Sequence, residues 1–173
     1  MNAGVSGSRR QARERALSLL YEADAKDVPP AKVLADLPME PALFAAQVVA
    51  GVGEHQPELD EMIGRYARDW TVDRMPALDR SLLRMAVFEL LHRPDVPTGA
   101  VISEAVELAQ RYSTEESSRF VNGVLAAIAA EARPSGPSGS SSPVGEQGVG
   151  TEPAADDALL SDQLIEEGLD QQG

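Results

Sequence analysis

Cysteine is absent from the 173 residues. Disulfides and thiolate metal sites are therefore excluded, and packing with polar pairing must hold the chain together. Long apolar runs are missing too. No stretch reaches the roughly 18 apolar residues that read as a membrane-crossing helix. The first residues are basic and then amphipathic. They lack the apolar stretch and small-residue cleavage site of a signal peptide, so the cytoplasm is the expected compartment. Histidine occurs twice, as His55 and His92. Each falls near the end of a predicted helix without a partner at ligand spacing, and a structural or surface role is expected. No phosphate-binding loop and no Gly-x-Gly-x-x-Gly run is present. The carboxylates fall on polar helix faces, whereas catalytic pairs need an apolar pocket to shift their pKa values. No enzyme, cofactor or metal is expected.

Basic residues are missing from one part of the chain. Net charge is −13, and the 40 residues from Pro134 to Gly173 hold eight acids and no Lys or Arg. Residues 1–133 therefore carry 15 basic and 20 acidic side chains, a net of −5. Beyond Pro134 the composition turns to Pro, Gly and Ser, which cannot bury enough apolar surface to offset the entropy of ordering. Three parts are expected: a flexible N-terminus over 1–7, a helical domain over 8–133, and a disordered acidic tail over 134–173. Within the tail, residues 155–169 place Leu159, Leu160, Leu164 and Ile165 among acids, a pattern open to a transient partner helix.

The domain reads as helices only. Ala12, Ala16, Leu19, Leu20 and Ala23 recur on one helical face. A short helix is expected over 31–37. Leu43, Phe44, Val48 and Val52 mark a helix after Pro41, and Leu59, Met62, Ile63 and Tyr66 mark a separate one. Leu82, Leu83, Ala86, Val87 and Leu90 mark a further helix, ended by Pro94 and Pro97. Thr98 is the expected N-cap of a helix with Val101, Ile102, Ala105, Val106 and Ala109 inward. Ser113 and Glu116, three apart, fit a capping box ahead of a last helix with Val121, Val124, Leu125 and Ile128 inward. About seven short helices with short loops predict an all-α bundle.

One cluster carries chemistry. Four of the 15 basic residues are Arg9, Arg10, Arg13 and Arg15. Spacings of three and four put Arg9, Arg10 and Arg13 along one side of a helix, opposite the apolar stripe. Guanidinium groups bind phosphate in bidentate fashion and stack on bases. The competing reading is a solubilising face of salt bridges, and spacing alone does not decide between them. Aromatics are scarce at 4%, which makes their placement informative. Tyr21 follows Arg13 by eight residues and Arg10 by eleven, so it can approach the same side. Phe120 follows Arg119 at the start of the last helix, where it can stack an unpaired base or fill the core.

Three separated segments, in order, resemble the NusB family of bacterial antitermination factors. They are the arginine-rich opening with Leu20-Tyr21, the segment from Asp79 to Leu91, and Val101–Ala109 followed by Phe120-Val121-Asn122-Gly123-Val124-Leu125. The resemblance covers residues 8–131. It implies two packed three-helix sub-bundles around a long linking helix. It also implies a factor that catalyses nothing and binds a single-stranded boxA-like RNA together with ribosomal protein NusE, within the antitermination complex of RNA polymerase. On the matching positions it assigns RNA to Arg9, Arg10, Arg13, Tyr21, Arg119 and Phe120, and NusE to Asp79, Arg84 and Phe88. It leaves open a homodimer of the free chain. Gln11 and Arg15 depart from the family's pattern. Two other readings exist. A module of an RNA methyltransferase would need a cofactor loop. A helix-turn-helix regulator would need a base-reading stripe, where the segment 98–111 offers Ser103, Glu104 and Glu107 instead.

Overall fold

Burial follows the apolar periodicity. In the computed structural model, which describes residues 3–68 and 70–134, Ala12, Ala16, Leu19, Leu20 and Ala23 are all at most 5% exposed. They lie on α1, Ala3–Lys26, which begins ahead of the boundary expected at residue 8. Asp27 ends α1 in the left-handed region, φ 52°, so that Val28 N–H reaches back to the Ala23 carbonyl at 3.0 Å. That satisfies one of the carbonyls a helix end leaves orphaned. Helix α2, Pro30–Ala35, starts on a proline, whose missing N–H is harmless in a first turn.

Two expected helices are one. Helix α3 runs unbroken over Leu43–Tyr66 with Pro57 inside it. A proline there removes one backbone hydrogen bond. Val48, Val49 and Val52 before it and Leu59 and Ile63 after it are each at most 1% exposed. Burial on both sides of Pro57 holds the helix through the gap. Pro41 lies before the helix rather than in its first turn, and Leu43 faces solvent at 73% exposure.

After a 3-10 turn over Val72–Arg74 come α4, Ala77–His92, α5, Thr98–Tyr112, and α6, Glu115–Ala132. Two caps differ from expectation. Pro97 occupies the N-cap of α5, with Thr98 already inside the helix. Thr114, not Ser113, caps α6, its hydroxyl accepting Ser117 N–H at 3.0 Å. Ser113 is drawn away because its hydroxyl donates to Asp79. The described residues thus form six α-helices with no strand. Helices α1, α2 and α3 contact one another, as do α4, α5 and α6, and α4 joins the groups by packing on both α1 and α3. The tail expected over 134–173 lies, apart from Pro134, outside the described residues.

Helix α4 is buried along nearly its whole length, and its polar side chains bind neighbouring helices. Arg80 donates to Asp24 at 2.6 Å and to the carbonyls of Val72 and Met75 at 3.1 Å, which fastens the 3-10 turn. Arg133, following α6, donates to the carbonyls of Glu89, Leu90 and Arg93 at 2.8 Å. One guanidinium so satisfies the orphaned C-terminus of α4 and complements its negative dipole end.

Candidate nucleic-acid interface

The arginines of α1 separate into distinct environments. Arg13 is 4% exposed and forms a bidentate pair with Glu89, itself 1% exposed, at 2.9 and 2.6 Å. Arg13 is therefore not on the solvent side of α1 as its spacing suggested. The apolar stripe is wider than the alanines and leucines alone, and α4 covers the flank carrying Arg13 and Leu17. Phe44 stands beneath this part of α1, with the guanidinium groups of Arg9, Arg13 and Arg93 at 5.6, 5.2 and 5.1 Å from its ring centre.

Arg10 is half-exposed but engaged. It grips Glu104 through two bonds of 3.0 and 2.9 Å and Glu107 through one of 2.7 Å. The hydrogen bond and charge of Glu104 raise the guanidinium's pKa further above its usual value. Arg9 lies 3.6 Å from Asp95. Asp95 is itself held below the usual carboxylate range by hydrogen bonding to Arg93. Glu14, the single acid in the arginine run, is taken by Arg111, and the Tyr112 hydroxyl donates to it at 3.4 Å. The acidic face of α5 thus docks on α1 through ion pairs. Arg15 is exposed and has no acidic partner among the described residues.

Arg15 opens onto a groove of about 560 Å³ lined by Gln11, Glu14, Leu17, Ser18 and Tyr21 of α1, Leu78 of α4 and Tyr112 of α5. Tyr21 and Tyr112 are 46% and 52% exposed. Large apolar rings left half in water beside a cation are suited to stacking on bases. Tyr21 borders Arg15 here, not Arg10 and Arg13, whose side it was expected to share. Tyr112 was missed, although Arg111-Tyr112 repeats the basic–aromatic doublet that drew attention to Arg119-Phe120. Phe120 does not line the groove. It is partly buried against the core, and α1 and α6 share no extended contact. Arg119 is highly exposed and pairs with Glu115 one turn earlier.

The three residues assigned to a protein partner face their own chain. Asp79 is 3% exposed and accepts the hydroxyls of Ser113 and Ser117 at 2.9 and 2.7 Å, which fixes the α5–α6 corner. Phe88 is 6% exposed and lies flat against α3, where a β-carbon on Gly51 would come 2.1 Å from its ring. Arg84 donates to Asp60 through two bonds of 2.7 Å. Only Arg84 reaches a surface feature, a second groove of about 780 Å³ whose acids are Asp24, Asp27 and Asp60. No described helix is long and apolar enough to cross a membrane.

Taken together, these features define an all-α scaffold that presents an arginine- and tyrosine-lined groove on one side and an acid-lined groove on another. The model of the NusB family matches residues 10–130. A transcription antitermination protein NusB from Kineococcus radiotolerans is 50% identical over 126 residues, covering 70% of this chain and 93% of that one. Another from Salinispora arenicola is 49% identical over 129 residues, covering 70% and 95%. The solved structure of NusB from T. maritima superposes with a TM-score of 0.65 at 33% identity, covering 71% of this chain and 91% of its own. A crystal structure of antitermination factors NusB and NusE in complex with double-stranded RNA matches with a TM-score of 0.61 at 28% identity, covering 71% and 96%. The chain belongs to the NusB family of transcription antitermination proteins, which are not enzymes.

Proposed function

We propose that this chain binds a single-stranded, boxA-like RNA together with ribosomal protein NusE, and so helps RNA polymerase in the cytoplasm read through terminators. The observation that carries the RNA reading is the groove holding Tyr21, Tyr112 and Arg15, which has no acidic partner among the described residues. Unpaired bases offer free faces to two exposed rings, whereas a duplex keeps its bases stacked on one another. Arg9 and Arg10 border the groove's helix as further phosphate ligands once Asp95 and Glu107 are displaced. Arg119 and Phe120 are assigned to the RNA path beyond the groove. Asp79 and Phe88 act on NusE only by positioning α4. The groove at Arg84 supplies the docking surface; Asp24 and Asp60 are already paired with Arg80 and Arg84, and Asp27 is the acid it offers to a basic partner.

The test is RNA affinity across a salt series, with NusE present. Tyr21→Ala and Tyr112→Ala should each weaken binding by about 1–3 kcal/mol at an unchanged salt slope. Arg15→Ala should make the log–log slope shallower by about 0.7. Wild-type affinity in the Tyr21→Ala/Tyr112→Ala double variant, or equal competition by duplex RNA, overturns the proposal.

A further inference from the structure

The two histidines, 37 positions apart in the sequence, meet in space. His55 and Glu58 stand three apart on α3, and His92 ends α4. Glu58 Oε2 lies 3.1 Å from His55 Nδ1 and 3.1 Å from His92 Nε2. One donor atom from each of the three lies within 4.8 Å of the others. The imidazole rings stack at 3.9 Å between centres, and Phe88 backs them at 5.3 Å from His92 and 6.0 Å from His55. Phe88 is in turn locked against the bare backbone of Gly51. The cluster therefore has a rigid apolar floor and an open, solvent-facing side, with His55, His92 and Glu58 side chains 38%, 28% and 52% exposed.

We propose that His55, Glu58 and His92 form a binding site for a first-row divalent transition metal, zinc above all, that ties α3 to α4. Zinc takes imidazole nitrogen and carboxylate oxygen at about 2.0–2.2 Å. Two such donors on one ion are then about 3.0 Å apart at a right angle and about 3.4 Å apart at the tetrahedral angle. Both observed nitrogen-to-oxygen separations fall inside that interval. The rings, stacked at 27° to one another, must turn out of their stack for both nitrogens to point at one ion, and their solvent-facing side leaves room for that turn. Two imidazoles select against magnesium and calcium, which prefer all-oxygen shells. Three protein donors leave at least one coordination position for water or an outside ligand.

The composition makes the test clean, because the chain has no cysteine and no other histidine. Untagged full-length protein, stripped with chelator, is titrated with zinc chloride by calorimetry and with cobalt chloride by visible absorption. Millimolar magnesium is kept present to saturate the acidic residues. One zinc per chain is expected, with a visible cobalt spectrum and a saturable rise of several degrees in melting temperature. His55→Asn and His92→Gln should each weaken zinc binding at least tenfold and remove the thermal shift, with circular dichroism unchanged. Glu58→Gln should weaken binding while retaining part of the cobalt signal. Zinc bound as tightly by the His55→Asn/His92→Gln variant, or no histidine-dependent binding by the wild type, overturns the site and leaves Glu58 as a plain acceptor for two imidazole N–H groups.

Discussion

Replacing Arg13 with alanine strands the Glu89 carboxylate at 1% exposure without the guanidinium that pairs with it. Breaking one side of a buried pair costs about 3–5 kcal/mol, because the remaining charge must be protonated or must drag water inward. Loss of the guanidinium from beside Phe44 removes a further contact worth about 0.5–2 kcal/mol. For a helical domain of this size, each kcal/mol corresponds to roughly 3–5 °C. The expected fall in melting temperature is therefore about 10–35 °C, scaled by the same size relation. Glu89→Ala should destabilise comparably. The joint variant Arg13→Met/Glu89→Leu should recover most of the loss or exceed wild type, since apolar replacement of a buried pair is often neutral or stabilising. Urea and thermal unfolding of wild type, the two single alanine variants and Arg13→Ala/Glu89→Ala form a double-mutant cycle, with Arg13→Met/Glu89→Leu measured beside it. The reasoning fails if Arg13→Ala unfolds like wild type while RNA affinity drops. Arg13 would then be a surface phosphate ligand, and the buried pair would have no energetic weight.

Two other positions, Asp79 of α4 and Gly51 of α3, test how α4 is packed. Asp79→Ala leaves the Ser113 and Ser117 hydroxyls without their shared acceptor and should cost about 1–3 kcal/mol in chemical denaturation; the charge reversal Asp79→Arg should abolish folding rather than a partner contact, and a folded Asp79→Arg protein would refute the assignment. Gly51→Ala drives a β-carbon into the Phe88 ring and should destabilise by about 1–3 kcal/mol or more, with Phe88→Leu in the same chain restoring part of the loss; a neutral Gly51→Ala would show that the ring is free to move.

The apolar stripes were legible because helix periodicity is local. Ala12 through Ala23 and Val121 through Ile128 went inward as their spacing required. The merged α3 was not legible, because a proline's local penalty is visible in sequence while the burial that outweighs it is not. Charged residues misled for the same reason. Arg13 and Glu89 are 76 positions apart, and only the packing of α1 on α4 reveals that they neutralise each other. Asp79 read as a surface acid because its partners, Ser113 and Ser117, sit two helices later. Glu58 stands three residues from His55 along α3, but His92 is 37 positions from His55, and only the packing of α3 on α4 brings the three together. In the groove, the register with Arg10 and Arg13 pointed to Tyr21 but not to its actual neighbour, Arg15. Tyr112 was not legible, because it belongs to a helix whose neighbour along the groove is α1.

The ion pairs on the surface of α1 differ in kind from the one beneath it. The side chains of Arg10 and Glu107 are 39% and 43% exposed, so their pairing is screened by water and salt. Exposed pairs contribute about 0–1 kcal/mol each. A carboxylate and a phosphate oxygen present similar acceptors to a guanidinium fork, so a phosphate can replace Glu107 at little net expense, while Glu104, 12% exposed, keeps its hold on Arg10. Glu104 and Glu107 then hold Arg10 extended and ordered on the side of α1 where a phosphate would meet it, rather than leaving a long side chain to be immobilised on binding. They also weaken the local positive field of the arginines, and they are among the 20 acids that leave residues 1–133 at a net −5. The arrangement exchanges long-range attraction for a pre-set geometry at short range. Arg13 takes no part in that exchange, since removing it from Glu89 would bury an unpaired charge. Salt dependence of binding thus reads Arg10 and Arg15, whereas unfolding reads Arg13, although all three lie within two turns of one helix.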